Sequence, residues 1–327
     1  TILKYPEDSA GSIMTTEYVE LRPHMTVEEA IKHLRRSGIN KETINTCYIS
    51  SKDRKLIGLV TIRDLIMADS DDVLEDIMDE KPISVTTMED QEHVAQQFTR
   101  YDLLAMPVVD GEDRLVGIVT VDDVLDVMQE EVTEDIEKMA AIVPADKPYL
   151  KLSTFELWKS RIPWLLLLMI SATFTGMIIT RFEDALSKVV ILTAYIPMLM
   201  DTGGNSGSQA SVTVIRGISL GDVEFSDLLK VIWKEVRVAM AIGMTLACCN
   251  MLKLMIFDHL DLQVALVVCL TLLVTVFCAK LVGCTLPLFA FKLGFDPAVM
   301  ASPFITTIVD AVSLLVYFQF ATRLLGI

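Results

Sequence analysis

Pro197-Met-Leu-Met-Asp-Thr-Gly-Gly-Asn-Ser-Gly-Ser-Gln-Ala210 lies inside a long apolar segment, yet it is itself polar. It carries Asp201, Asn205 and Gln209, together with Gly203, Gly204 and Gly207. Polar side chains at membrane depth are costly and face a cavity or another helix. Glycines let backbones approach closely or open carbonyls toward a pathway. The stretch therefore reads as the lining of a route for something polar, and the rest of the chain is read outward from it.

The surrounding composition is split. With 52% hydrophobic residues and a mean hydropathy of +0.47, the chain is too apolar for an ordinary soluble protein. Its 22% charged residues are too many for an all-membrane one. Residues 1–160 hold 17 Lys and Arg against 33 Asp and Glu, which is the whole net charge of −16; residues 161–327 hold 11 of each. An acidic soluble half thus precedes an apolar membrane half. Acidity of that kind argues against nucleic acid, which needs clustered Lys and Arg. The six Cys show no CxxC spacing, and five lie in apolar segments, where they read as small apolar fillers. Thr1 is not an initiator methionine, so the chain reads as a fragment.

The soluble half is a repeat. Gly58-Leu-Val-Thr-Ile-Arg-Asp64 matches Gly117-Ile-Val-Thr-Val-Asp-Asp123, and Ser12-Ile-Met14 matches Asp76-Ile-Met78. Each copy predicts a helix (27–37 and 90–101), a strand pair (46–50 with 56–61; 105–109 with 115–120) and a closing helix from Arg63 or Asp122. A unit this small cannot bury its own core, so the copies are expected to pack together. The pattern resembles a pair of CBS domains over about residues 10–130. That resemblance implies that Thr61, Arg63 and Asp64, and Thr120 and Asp123, hold the ribose and phosphate of ATP or a relative. The bland reading of the same residues is helix capping. Asp122 stands where the first copy has Arg63, which makes the second site less hospitable to phosphate.

Residues 122–138 follow as an acidic helical connector. Asp123, Asp126, Glu130 and Glu134 recur about a turn apart, as do Glu131 and Asp135. Like charges at this spacing repel unless neutralised. The run reads either as a solvated face or as carboxylates suited to a hard cation such as Mg²⁺ or Ca²⁺.

Five segments are long enough to span a bilayer: about 162–181, 188–214, 233–257, 262–291 and 301–325. Pro163 is expected to start the first, and Pro197, Pro287 and Pro303 to bend others. Flanking Lys and Arg number nine on one side against four on the other, which puts the soluble half in the cytoplasm and Ile327 outside. Asp310 is the acid that lies well inside segment five. It calls for a cation or a positive side chain such as Lys280. With a cation, Asp310 supplies charge, while Asn205 and Gln209 supply neutral oxygens for a largely hydrated Mg²⁺. A two-fold dimer about the pore would pair two copies of Asp310.

These features together resemble the MgtE family of magnesium channels. The residues that carry the likeness are Pro197…Gly203-Gly-Asn-Ser-Gly-Ser-Gln209-Ala, Asp296-Pro and Pro303…Thr306-Thr-Ile-Val-Asp310. The family implies a Mg²⁺-selective channel or transporter, built as a homodimer in the inner membrane with Mg²⁺ at Asp310. It implies regulatory Mg²⁺ at Glu92, Asp102, Asp123, Asp126, Glu131, Glu134, Asp135 and Asp296, and a connecting helix that plugs the pore. The expected fold is an α+β cytoplasmic CBS-domain pair followed by an all-α membrane domain of five transmembrane helices. Residues 1–10 are expected to be the end of an N-terminal domain or its linker, as the resemblance implies. The repeats occupy 11–70 and 71–130, the connecting helix 131–157 and the pore domain 158–327. An enzyme is not expected: His24, His33, His93 and His259 form no His-Glu-x-x-His motif. The alternative is a CBS-regulated carrier of Co²⁺, Mn²⁺ or Ni²⁺, or a coupled transporter. An anion path would want more intramembrane Lys or Arg than Lys280.

Overall fold

The structure is a computed structural model describing residues 5–145, 147–300 and 302–326. It divides into two units, Thr1–Val132 and Thr133–Ile327. The first contains α1 (Ala10–Ile13), β1 (Val19–Leu21), α2 (Val27–Ser37), β2 (Thr46–Ser50), β3 (Leu56–Thr61), α3 (Ile62–Met67) and α4 (Leu74–Ile77). Then come β4 (Val85–Thr86), α5 (Gln91–Tyr101), β5 (Ala105–Val109), β6 (Leu115–Thr120) and the start of α6 (Val121–Met139).

Each repeat builds a three-stranded sheet with its middle strand buried throughout, β2 in one and β5 in the other. The first strand pairs parallel and the third antiparallel, with a register shift at the same place, Ile49/Ser50 and Val108/Val109. Amphipathic spacing seats α2 on the first sheet through Val27, Ala30 and Leu34, and a Thr26–Glu29 capping box starts the helix.

The two repeats also exchange a short segment. Met14 packs in the core of the second repeat and Met78 against that of the first. Their sulfurs lie against Gly117 and Gly58, where a Cβ would stand 2.6 and 2.8 Å from them. Single bridges, Thr15 to Ile118 and Leu59 to Asp79, mark the same exchange. The sequence match of Met14 with Met78 is thus a match of two crossing segments. Each completes a core that a lone repeat leaves open.

The division between the units falls inside α6, which ends at Met139. Beyond it Ala141 turns through a positive φ of 55°, and Pro144 and Pro148 lead to a short 3₁₀ turn at Tyr149–Lys151. The helix placed at 131–157 is therefore not one helix: the second half of α6, the 3₁₀ turn and the first turn of a separate helix beginning at Thr154 share that stretch.

The second unit continues with α7 (Thr154–Arg181), α8 (Glu183–Lys188), α9 (Ile196–Ser219), α10 (Leu228–Ile256), α11 (Leu262–Lys292) and α12 (Ser302–Leu325). Apolar nearly all round, α11 is the central helix, with sixteen buried positions between Val264 and Ala290. Among the described residues four helices are long and apolar enough to cross a membrane: Thr154–Arg181, Phe225–Ile256, Leu262–Lys292 and Pro297–Leu325. The 24-residue α9 is not one of them, because its polar and glycine residues lower its hydropathy.

Three expected proline roles change. Pro197 sits in the first turn of α9, and Pro303 in the first turn of α12. The missing N–H costs nothing there, so these prolines start helices rather than bend them. Pro163, expected to start a helix, lies within α7, which instead begins at a Ser153–Glu156 capping box. Segment two begins late: α8 and a 3₁₀ stretch at Val190–Tyr195 precede α9.

Candidate functional site

Helix α9 has two faces. Leu199, Gly203, Gly207, Ala210, Val214 and Ile218 are buried. Pro197, Asp201, Asn205, Gln209, Thr213 and Arg216 are exposed. The exposed positions recur at three- or four-residue intervals, so they form one stripe along the helix. Small residues on the opposite face make this orientation possible. A Cβ on Gly283 of α11 would stand 2.3 Å from the Gly207 carbonyl oxygen, so backbone meets backbone and nothing larger fits.

Contacts of the glycines also set depth. Gly203 lies beside Thr275 and Val309, Gly204 beside Thr306, and Gly207 beside Ala279 and Ile305. Numbers rise together on α9 and α11 and oppositely on α9 and α12, so α9 runs parallel to α11 and antiparallel to α12. Asp310 follows Val309 and lies at the level of Gly203. At about 1.5 Å rise per residue, that is within about a turn of both Asp201 and Asn205. The structure thus brings Asp310, Asp201 and Asn205 to a common depth, with Gln209 one turn further along. Asp310 is half-buried. Thr306 and Thr307 donate to the Pro303 carbonyl at 3.0 and 3.1 Å, which commits their hydroxyls to their own helix.

Lys280 does not meet Asp310. It is buried on the α10 side of α11, 3.9 Å from Glu235 Oε2. Sequence reasoning missed Glu235 because it stands near the start of its helix, among Lys234 and Arg237. The available signal was the lone intramembrane lysine, which demands a counter-charge somewhere.

The cytoplasmic acids fall into separate settings. In the first unit Glu131 accepts from Gln91 Nε2 at 2.8 Å, and Glu92 lies in the first turn of α5. Asp102 closes the same helix in a left-handed conformation, φ 52°. Asp126 is exposed on α6. In the second unit Glu134, Asp135 and Asp296 converge around Lys138. Lys138 Nζ bridges Glu134 Oε1 and, at 2.6 Å, Asp296 Oδ2. Asp296 Oδ1 accepts from the Ala298 N–H at 2.8 Å, which fixes the carboxylate on its own turn. Asp135 accepts from Ser219 Oγ at 3.2 Å. Burial, with Asp296 nearby, pushes the Asp135 carboxyl above the usual carboxylate range. Partial burial works against the charge of Lys138, but hydrogen bonds to Asp296 and Glu134 outweigh it and hold the ammonium above the usual lysine range. Met139 packs on Ile215 and Ala298 beside this junction.

The donor chemistry at the junction is all carboxylate oxygen, which fits a hard cation. Its arrangement, however, is that of a lysine clamp. No group of three or more His, Cys, Asp or Glu among the described residues is disposed to hold a metal ion.

At the proposed nucleotide positions local bonds come first. Thr61 accepts from the Asp64 N–H at 3.2 Å, while Asp64 accepts from the Thr61 N–H at 2.9 Å, a complete capping box for α3. Thr120 Oγ1 donates to Asp123 at 2.8 Å. Arg63 is exposed.

Comparison with known proteins follows the same division. The MgtE family, described as a divalent cation transporter, matches residues 196–320. The CBS domain matches residues 10–71 and 74–130. The magnesium transporter MgtE of Thermus thermophilus is 41% identical over 324 residues, 99% of this chain and 72% of that protein. That of Bacillus subtilis is 38% identical over 327 residues, 98% of this chain and 70% of that protein. A crystal structure of the cytosolic domain of the Mg²⁺ channel MgtE in complex with ATP is 49% identical over 38% of this chain and 51% of that one, with a TM-score of 0.38.

Proposed function

The chain belongs to the MgtE family of divalent cation transporters, and from that premise we propose that it conducts Mg²⁺ across a membrane along the exposed face of α9. The observation that carries the reading is the exposed polar stripe Asp201, Asn205 and Gln209 on α9, with Asp310 at its level, in a unit whose other long helices are apolar enough to cross a membrane. Such a stripe does not face lipid, because hydrocarbon offers its polar groups no partner. A second copy of the chain, related by a two-fold axis, covers it and brings two Asp310 carboxylates to one pathway. Their summed charge matches one divalent ion.

Mg²⁺ surrenders its water reluctantly. The ion therefore passes largely hydrated, Asp310 accepting hydrogen bonds from its waters while the amide oxygens of Asn205 and Gln209 accept others. In this reading α9 joins the four apolar helices to make five spans, the soluble half is cytoplasmic and Ile327 is outside. Cytosolic Mg²⁺ closes the pathway by neutralising carboxylates: Glu92, Asp102, Asp123, Asp126 and Glu131 in the first unit, and Glu134, Asp135 and Asp296 in the second. Ion binding shifts the equilibrium only by its preference for the closed state, so several sites make the response steep. ATP binds the CBS pair near Thr61, Arg63 and Asp64, and near Thr120 and Asp123.

The test is ion flux into vesicles holding the purified chain, with Mg²⁺, Co²⁺, Mn²⁺, Ni²⁺, Ca²⁺ and Cl⁻ compared and internal Mg²⁺ varied. Selective Mg²⁺ entry that falls as internal Mg²⁺ rises supports the reading. Preference for Co²⁺, Mn²⁺ or Ni²⁺, or flux that needs a second ion gradient, replaces it with a carrier.

A further inference from the structure

The junction at the end of α6 holds three carboxylates and one ammonium. Lys138 Nζ reaches Asp296 Oδ2 at 2.6 Å and Glu134 Oε1 as well, so it touches both α6 and the turn before α12. Its side chain is 23% exposed, so the contact is accessible to ions from solvent yet shielded enough to be strong. Asp296 cannot turn away, because its other oxygen is engaged by the Ala298 N–H.

An ammonium offers donors only and never ligates a metal. Mg²⁺ demands oxygens at about 2.0–2.1 Å. Lys138 and Mg²⁺ therefore compete for Asp296 Oδ2 and Glu134 Oε1. The two cations also repel, so a displaced but nearby Lys138 still opposes the ion. Resting on the reading that Mg²⁺ regulates through these acids, we propose that Lys138 is a tethered competitor. It occupies the Glu134–Asp296 junction until cytosolic Mg²⁺ displaces it, and so sets the concentration at which the protein closes. The clamp also gives the last turns of α6 a counter-charge at this junction. The carboxylates would repel one another with nothing between them, and Lys138 supplies the missing positive charge.

The experiment is a Mg²⁺ titration of the purified full chain, read by protection of the 140–152 segment from protease and, separately, by flux in vesicles. Lys138→Gln should move the Mg²⁺ midpoint of both readouts about tenfold lower, as expected for removing one screened competing charge. Lys138→Arg should keep the parent midpoint within about twofold, because the charge is retained. With Asp296→Asn as background, Lys138→Gln should shift the midpoint far less, since the shared partner is gone. An unchanged or higher midpoint in Lys138→Gln, in a chain whose parent responds to Mg²⁺, overturns the competitor alone. A parent whose protection ignores Mg²⁺ overturns the regulatory reading itself and the competitor with it.

Discussion

Two sets of polar side chains occupy the same apolar unit and are handled in opposite ways. Glu235 and Lys280 are turned inward, α10 against α11, and answer each other's charge. Asp201, Asn205 and Gln209 are turned outward on α9, with Asp310 half-buried at their level. An inward pair is self-sufficient, since each charge compensates the other at the cost of both desolvations. An outward stripe is not, since its groups need water, an ion or another chain. Polarity within a membrane segment therefore does not identify a pathway; which way the helix turns it does.

The comparison breaks most sharply at Asp310. Asp310→Ala should drop Mg²⁺ flux to the level of empty vesicles while leaving the melting temperature nearly unchanged. Selective transport within about twofold of the parent would remove this residue from the pathway. The inward pair should behave in reverse. Lys280→Met strands Glu235 and should destabilise the fold by about 3–5 kcal/mol. Adding Glu235→Gln should restore most of that loss, as thermal melting of the single and double variants in detergent will reveal. Independent, additive losses would show that the two charges do not act as a pair.

Close packing behind the stripe gives a smaller effect. Gly207→Val places a branched side chain against Ile305 and the Ala279 carbonyl, at a cost of about 1–3 kcal/mol. Flux should fall along with melting temperature, because α9 rotates or retreats. The smallest effect lies outside the membrane unit. Thr61→Ala removes the cap of α3 and should lower the calorimetric stability of the soluble unit by about 1 kcal/mol. Isothermal titration with ATP on the same variant separates capping from nucleotide binding. Undiminished affinity assigns Thr61 to the helix, and a loss of tenfold or more assigns it to the ligand as well.

Much of the soluble unit was legible because its elements carry local signals. The strand limits 46–50, 56–61, 105–109 and 115–120 follow from apolar runs bounded by turn residues, and the structure places them there. The segment exchange was not legible. Ser12-Ile-Met14 and Asp76-Ile-Met78 look like equivalent starts, and only packing reveals that each completes the other repeat's core. In the membrane unit the helices were evident from apolar length, while the roles of Pro163, Pro197 and Pro303 were misjudged by one turn or more. A proline's effect depends on its distance from the helix start, and helix starts are set by caps such as Ser153–Glu156 that long-range hydropathy does not register.

By itself, the sequence determined the division into an acidic repeat and an apolar helical unit, the longer helices and the two strand pairs but not β1 or β4, and the residue types available at membrane depth. Composition and periodicity act locally, so they survive without knowledge of neighbours. Only tertiary structure decided that Lys280 answers Glu235, that Lys138 stands between Glu134 and Asp296, and that Asp201, Asn205 and Gln209 share one outward face. Those outcomes depend on helix rotation and depth. Both are settled by contacts such as Gly207 against Gly283, residues 76 positions apart, where the absence of two side chains lets one backbone rest on another.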